Sequence, residues 1–404
     1  MTSLGSTDWV LLLGGGWEAL PLARSLERRG ISFVVVDRDA ECATRDVAPF
    51  FIELDVEQNP ELLASALSRF YSNGPARIAS NDYGLLAVQM CSNTWQGVGL
   101  SDGMLNFSHN KANIEASFNA LGYRCPRHFS AENIVAEDFP VVGKTPWGFG
   151  GRGTQLLRSK EEMEAFRQMV GPRAVFQEFL EGFTAGRAIY QVRAGQTKAL
   201  GIYNLCPGEV FGSHPTVTSN DSLSVNSQKT MSALVCDLIR IESRWTGLLA
   251  VDFLSNEQDD LVFLEATPAY PDALISAALR LGGAGEAVQI ALDQPPQFHG
   301  YGQRAKSITS QRMELEPGEL TDLLNEKGDG GRNEILWSTS EFRAVLRFDS
   351  IANSSGKHRA VLALRSNRHR QEGLDYSTIA GKLLSRGTEH LRMQRYLDEP
   401  HFIP

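Results

Sequence analysis

Residues 10–39 read VLLLGGGWEALPLARSLERRGISFVVVDRD, and few architectures admit such a stretch. Two short, wholly apolar runs flank a glycine turn and a segment with helical spacing. A strand apolar at every position is buried on both faces, as in a parallel sheet covered by crossover helices. The stretch therefore predicts strand, tight turn, helix and parallel strand. IELDV, the helical ELLASALSRFY and ARIAS at 76–80 extend the alternation. Gly14, Gly16 and Ala19 also fit G-x-G-x-x-G/A, with Asp37 about where a ribose-binding acid would stand. At this point a nicotinamide oxidoreductase is open.

The style changes further along. NKANIEASFNAL at 110–121 has helical spacing, with Asn110 as its cap. FPVVGK predicts a strand, TPWGFGGRGT a glycine-rich loop, and SKEEMEAFRQMV a helix capped by Ser159 with Glu162 in capping-box position. AVFQEFL, GRAIYQVRA and TKALGIYNL read as strands, and NSQKTMSALVCDLIRIES as an amphipathic helix. GLLAVDFLS and DLVFLEA form an antiparallel pair across the polar turn NEQD. Runs of strands behind an alternating unit give an α/β plus α+β class. Beyond about residue 296 the pattern weakens to a linker, QPPQFHGYGQ, a turn at 326–333, and alternating segments in EILWSTSEFRAVLRFDSI and KHRAVLALRS.

At 404 residues the chain predicts about two to four domains. Its net charge of -9 disfavours a nucleic-acid partner, and the basic RSNRHRQ at 365–371 reads as a solvated loop. No run approaches the roughly 20 apolar residues of a membrane span. Cys42, Cys91, Cys125, Cys206 and Cys236 lie far apart without a CxxC, which argues against a common zinc module and suits a reducing cytoplasm. MTSLGSTDWV shows no export signal, so a cytoplasmic location is expected.

The chemistry concentrates in FPVVGKTPWGFGGRGTQLLRSKEE, residues 139–162. Lys144 ends a strand, and Gly148, Gly150, Gly151 and Gly153 follow in the loop around Arg152. Such a density of glycines lets backbone N–H groups converge on phosphate oxygens, while the lysine adds fixed charge. A flexible surface hairpin would use the same glycines. VFQEFLEG at 175–182 is a strand ending in acids, placed to grip a base and ribose. Asp252 in LLAVDF and Glu265 in LVFLEATP fall on adjacent strands, where both can point the same way. Paired carboxylates beside a polyphosphate are the means of holding Mg²⁺. A solvated strand face is the plainer alternative, though an acid in an apolar strand is costly to bury unpaired.

In this order the pieces resemble the ATP-grasp superfamily over roughly residues 8–295. KTPWGFGGRG resembles that family's phosphate loop, K-P-x-x-G-x-G-G-x-G, and NKANIEASFNALGYRCP the helix whose lysine, here Lys111, reaches the nucleotide phosphates. The resemblance implies a Rossmann-like pre-ATP-grasp domain over 1–105 and a two-lobed ATP-grasp domain over 106–295 with a lid at about 125–182. A small β-containing C-terminal extension fills 296–404. It implies that Gln177, Glu178, Phe179, Leu180 and Glu181 line the adenosine, and that Asp252 and Glu265 hold the metal. The glycine turn at Gly14, Gly15 and Gly16 then borders the acceptor site without binding nicotinamide.

Two motifs depart from the pattern. E-x-N-P-R becomes EATPA at 265–269, so Thr267 replaces the amide ligand of a second Mg²⁺ and Ala269 replaces an arginine. Thr184 stands where a ribose-binding acid commonly follows the EG turn. Charge developing on a tetrahedral carbon still needs a positioned donor, for which Arg187, Arg240 and Arg244 are the candidates, with Lys144 beside them. The resemblance implies ATP and Mg²⁺ (or Mn²⁺ in its place), small-molecule carboxylate and amine substrates, and room for a homodimer. The branch it most resembles is the amino-acid ligases, through the ASNDYG loop at 79–84. Asn81, Asp82, His214 and Asp272 are polar candidates for the second substrate. The activity implied is ligation of a carboxylate to an amine through an acyl phosphate, releasing ADP and phosphate. A non-catalytic ATP sensor, hinted at by Thr267 and Ala269, is the alternative beside the nicotinamide enzyme.

Overall fold

The computed structural model describes residues 9–16, 18–70, 74–75, 77–92, 95, 99–146, 153–193, 195–206, 216–219 and 223–270, and four later strands within 308–366. The first alternating unit comprises β1 (Val10–Leu13), α1 (Leu20–Arg28), β2 (Phe33–Asp37), β3 (Phe50–Glu53), α2 (Leu62–Ser68) and β4 (Arg77–Ser80). Its sheet runs β3-β2-β1-β4, all parallel, with β1 registered on both β2 and β4. Every residue of β1 is buried, as its unbroken apolar run demands.

α3 (Leu85–Cys91), α4 (Asp102–Leu105) and α5 (Ile114–Ala120) lead to a second sheet. α5 begins later than its spacing predicts. Asn113 occupies the cap position, while the Asn110 side chain accepts from Ala112 N and closes a local turn before the helix. The second sheet contains β5 (His128–Phe129), β6 (Val141–Lys144), β7 (Thr154–Leu157) and β8 (Val175–Glu178) in the order β5-β8-β6-β7. α6 (Lys160–Val170) covers one face, burying Met163 and Phe166 against Val141, Leu157 and Phe176. Ser159 caps α6 by accepting from Glu162 N. The Glu162 carboxylate reaches Arg158 N, one residue beyond the partner of a regular capping box.

Among the described residues the third sheet has nine strands. β9 (Thr184–Arg193), β10 (Gln196–Cys206), β11 (Thr216–Ser219), β12 (Gly247–Ser255) and β13 (Leu261–Thr267) assemble around α7 (Val225–Ile241). β14 (Ile308–Leu315), β15 (Glu334–Ser338), β16 (Phe342–Phe348) and β17 (His358–Ser366) complete it in the order β13-β12-β9-β10-β11-β14-β17-β16-β15. The late strands do pair in antiparallel fashion, but they also join the larger sheet where β14 meets β11. No helix among the described residues is long and apolar enough to cross a membrane.

One apolar core reaches from β1 and β4 through α3 and α7 to β9, β12 and β13. The edge of β13 is covered by loops: Phe263 N donates to Arg124 O and Ala266 N to Phe107 O, each at 2.8 Å. Phe263 stacks on Phe118 at 5.8 Å and meets Tyr123 edge-on at 5.6 Å. Truncating Phe263 to alanine should therefore cost about 3–5 kcal/mol of stability. Equilibrium denaturation would measure it, and a loss under about 1 kcal/mol would show that this core can collapse around the gap.

Candidate active site

Hydrogen bonding between strands creates the centre of the site. Arg187 on β9 is the register partner of Asp252 on β12, and Asp252 is the register partner of Glu265 on β13. Direct cross-strand partners share a face, so the three side chains form one row across three strands. Tyr203 on β10 extends the row beyond Arg187. Two residues along β13, Thr267 stands on the same face, opposite Ala250.

The charges are close. The Arg187 guanidinium grips Asp252 with two nitrogens, Nε on Oδ1 and Nη2 on Oδ2, the latter at 2.6 Å. Arg187 Nη2 lies 4.0 Å from Glu265 Oε1, and Lys111 Nζ lies 3.8 Å from Glu265 Oε2. Burial pushes the Glu265 carboxyl up to about 7, and the neighbouring Asp252 pushes the same way against Lys111 and Arg187. Lys144 is held down to about 8, first by burial and also by Lys111, against the opposing pull of Glu265 and Asp252. Lys111, Lys144 and Arg187 thus share one electrostatic site with Asp252 and Glu265. Asp82 also raises Glu265, which brings the loop after β4 to the same place.

The small sheet presents Lys144 on the face away from α6. Its register partners are Thr154 and Val175, and residue alternation puts Val142 and Gln177 on that face too. Gln177 is buried and its Nε2 lies 2.5 Å from His128 Nε2. Glu178 has the opposite parity. Its N–H donates to Arg127 O and its carboxylate accepts from Arg127 N, at the border of the sheet. Phe179 is exposed, Leu180 half-buried, and Glu181 and Thr184 exposed. In the loop after β6, Thr145 N donates to Gly153 O, and Gly153 has φ +70°, a conformation that favours glycine. Gly148, Gly150, Gly151 and Arg152 lie outside the described residues, as do His214 and Asp272.

The other arginine candidates are engaged elsewhere. Arg244 follows α7, with Nε 3.5 Å from the buried Glu242 and Nη1 donating to Ser92 O. Arg240 is largely exposed and pairs with Asp237. Neither has Asp252 or Glu265 as a partner in these contacts, whereas Arg187 has both.

The glycine turn of the parallel sheet is closed by protein groups. Asp37 Oδ2 accepts from Gly15 N at 2.5 Å, and its Oδ1 accepts from Asp39 N at 2.8 Å. The acid that would hold a ribose is therefore committed to the turn, and so is an N–H that a pyrophosphate would use. The Tyr270 hydroxyl donates toward Leu13 O at 2.8 Å and Gly14 O at 2.5 Å, while Tyr270 N donates to Ser80 O. Gly14 has φ +92°, and a Cβ there would meet the Tyr270 hydroxyl at 2.8 Å. Sequence reasoning missed Tyr270. Its position directly after EATPA was the available signal, but its acceptors lie 256 and 257 residues away.

The architecture has clear counterparts among solved structures. N5-carboxyaminoimidazole ribonucleotide synthetase from Thermus thermophilus superposes with a TM-score of 0.64 at 19% identity, covering 95% of this chain and 100% of that one. L-amino acid ligase from Bacillus licheniformis gives 0.65 at 13% identity, with 96% and 99% covered. The biotin carboxylase domain dimer of 2-oxoglutarate carboxylase from Hydrogenobacter thermophilus gives 0.64 at 15%, with 88% and 86% covered. This chain has the ATP-grasp fold. The mixed α/β arrangement of several sheets is thereby placed among known architectures. No protein-family model matches the chain, and no curated protein matches it.

Proposed function

We propose that the chain is an ATP-dependent ligase that joins a carboxylate to an amine, releasing ADP and phosphate. The observation that carries this reading is the convergence of Lys111, Lys144 and Arg187 on Asp252 and Glu265 in a chain with the ATP-grasp fold. Three cations gathered beside paired carboxylates in a largely enclosed site are the setting a metal-bound polyphosphate fits. The oxygens of Glu265 fit a hard divalent ion. The Hydrogenobacter domain was solved with MgADP, ADP and bicarbonate, which supports ATP and Mg²⁺ as the ligands here.

On this reading residues 1–105 are a Rossmann-like pre-ATP-grasp domain, 106–295 the ATP-grasp domain with its lid at about 125–182, and 296–404 a C-terminal extension. Lys111, Lys144 and the loop containing Gly148, Gly150, Gly151, Arg152 and Gly153 hold the phosphates. Gln177, Glu178 and the backbone from Phe179 to Glu181 border the base and ribose. Glu265 and Thr267, with Asp252 in the same row, provide the oxygen side of the metal site, and Arg187 supplies the positive charge that Ala269 lacks. Arg187 rather than Arg244 is the arginine this reading favours, since the Arg244 guanidinium is engaged at the end of α7.

ATP supplies the phosphoryl group that converts a carboxylate into an acyl phosphate, leaving ADP, and an amine would then attack the acyl carbon and expel phosphate. The protein's share is positioning and neutralisation: lysines that fix the phosphates, and a small sheet that shields the reactive mixed anhydride from water. The Bacillus L-amino acid ligase supports amino acids as the substrate class. The dimeric Hydrogenobacter domain supports a homodimer. A nicotinamide enzyme is disfavoured by the commitment of Asp37 to Gly15 N.

The test is an ADP-release screen over paired amino acids and small acids, with mass detection of products. Mg²⁺-dependent ADP should appear only when a carboxylate and an amine are both present. ATP binding without ADP from any pair would favour the sensor instead.

A further inference from the structure

Arg187 is placed by backbone pairing, since β9 and β12 set it directly opposite Asp252. Its two nitrogens engage both oxygens of Asp252, the fork that a carboxylate accepts from a guanidinium. The same Nη2 is within 4.0 Å of Glu265. A cation shared by Asp252 and Glu265 would need the region that this nitrogen occupies. Separating Arg187 from Asp252 to admit a metal would strand an anion and a guanidinium in a site where both side chains are mostly buried. Glu265 is different. Its approaches to Lys111 and Arg187, at 3.8 and 4.0 Å, are beyond hydrogen-bond reach.

Building on the ligase reading, we infer that Arg187 takes the place of a second divalent cation: it neutralises Asp252 permanently, and Glu265 is the one carboxylate of the row that anchors metal, a single ion per nucleotide. A further observation agrees: Thr267 offers a hydroxyl where a second metal would need a stronger oxygen ligand.

The experiment counts bound manganese by electron paramagnetic resonance, with a non-hydrolysable ATP analogue whose binding is followed separately by calorimetry. Wild type should hold one ion per bound analogue, and Asp252→Asn should still hold one. Glu265→Gln should lose it. Arg187→Met releases Asp252 and should admit a second ion, raising the count twofold. Two ions in wild type, one of them lost in Asp252→Asn, would overturn the inference. If Arg187→Met does not fold, the wild-type and Asp252→Asn counts still decide the matter. Normal analogue binding with two ions removes only the role of Arg187. No heat from the analogue removes the ATP reading, and this inference with it.

Discussion

Glu265→Gln should lower the kcat/KM for ADP release by about 10³-fold or more, the equivalent of several kcal/mol of lost charge stabilisation. The substitution keeps the shape of the side chain and removes only its capacity to ionise. Burial and Asp252 already oppose that charge and hold the carboxyl up to about 7. A neutral amide should therefore leave the fold as stable as before, or slightly more so, because a half-buried charge beside Asp252 has gone. That separates chemistry from folding. A coupled ADP assay beside thermal denaturation of the same preparation checks both halves, and turnover at the wild-type rate would take Glu265 out of the reaction.

Lys144 should give the site its pH dependence. Its ammonium is held down to about 8 from an ordinary 10.5, with burial the largest cause. A bound polyphosphate favours the charged form and raises that value. Below about 8 the free protein is already protonated and binding takes up little. Between about 8 and the ordinary lysine range, binding must draw a proton from solution, and affinity falls as pH rises through 8. Calorimetry at pH 9 in two buffers of different ionisation enthalpy should register net proton uptake. Lys144→Met should weaken ATP binding about 10- to 100-fold, the worth of one charged hydrogen bond to phosphate, and abolish the uptake. Uptake that persists in the variant would assign the proton to another group.

The sequence disclosed most where the signal is local. The unbroken apolar runs of β1 and β2 demanded a parallel sheet, and the polar NEQD turn announced the antiparallel strands that bring Asp252 beside Glu265. What escaped was long-range register. Nothing in GRAIYQVRA states that Arg187 will face Asp252, because that pairing joins residues 65 apart. The choice of Gln177 over Glu178 for the face of Lys144 depends on a one-residue parity that only the paired strand settles. α5 starts after Asn110 because a side-chain turn competes with the helix there. β14 was missed altogether, and with it the seam that joins the late strands to the sheet carrying Asp252 and Glu265.

Tyr270 follows the carboxylate strand closely and hangs by its hydroxyl from the carbonyls that end β1. The first sheet and the carboxylate row are consequently latched together as a single anvil, with a common core behind them. On the ligase reading, a nucleotide would lie between this block and the sheet bearing Lys144. On that reading, loosening the tyrosine latch would misalign the two halves of the site while leaving each of them intact.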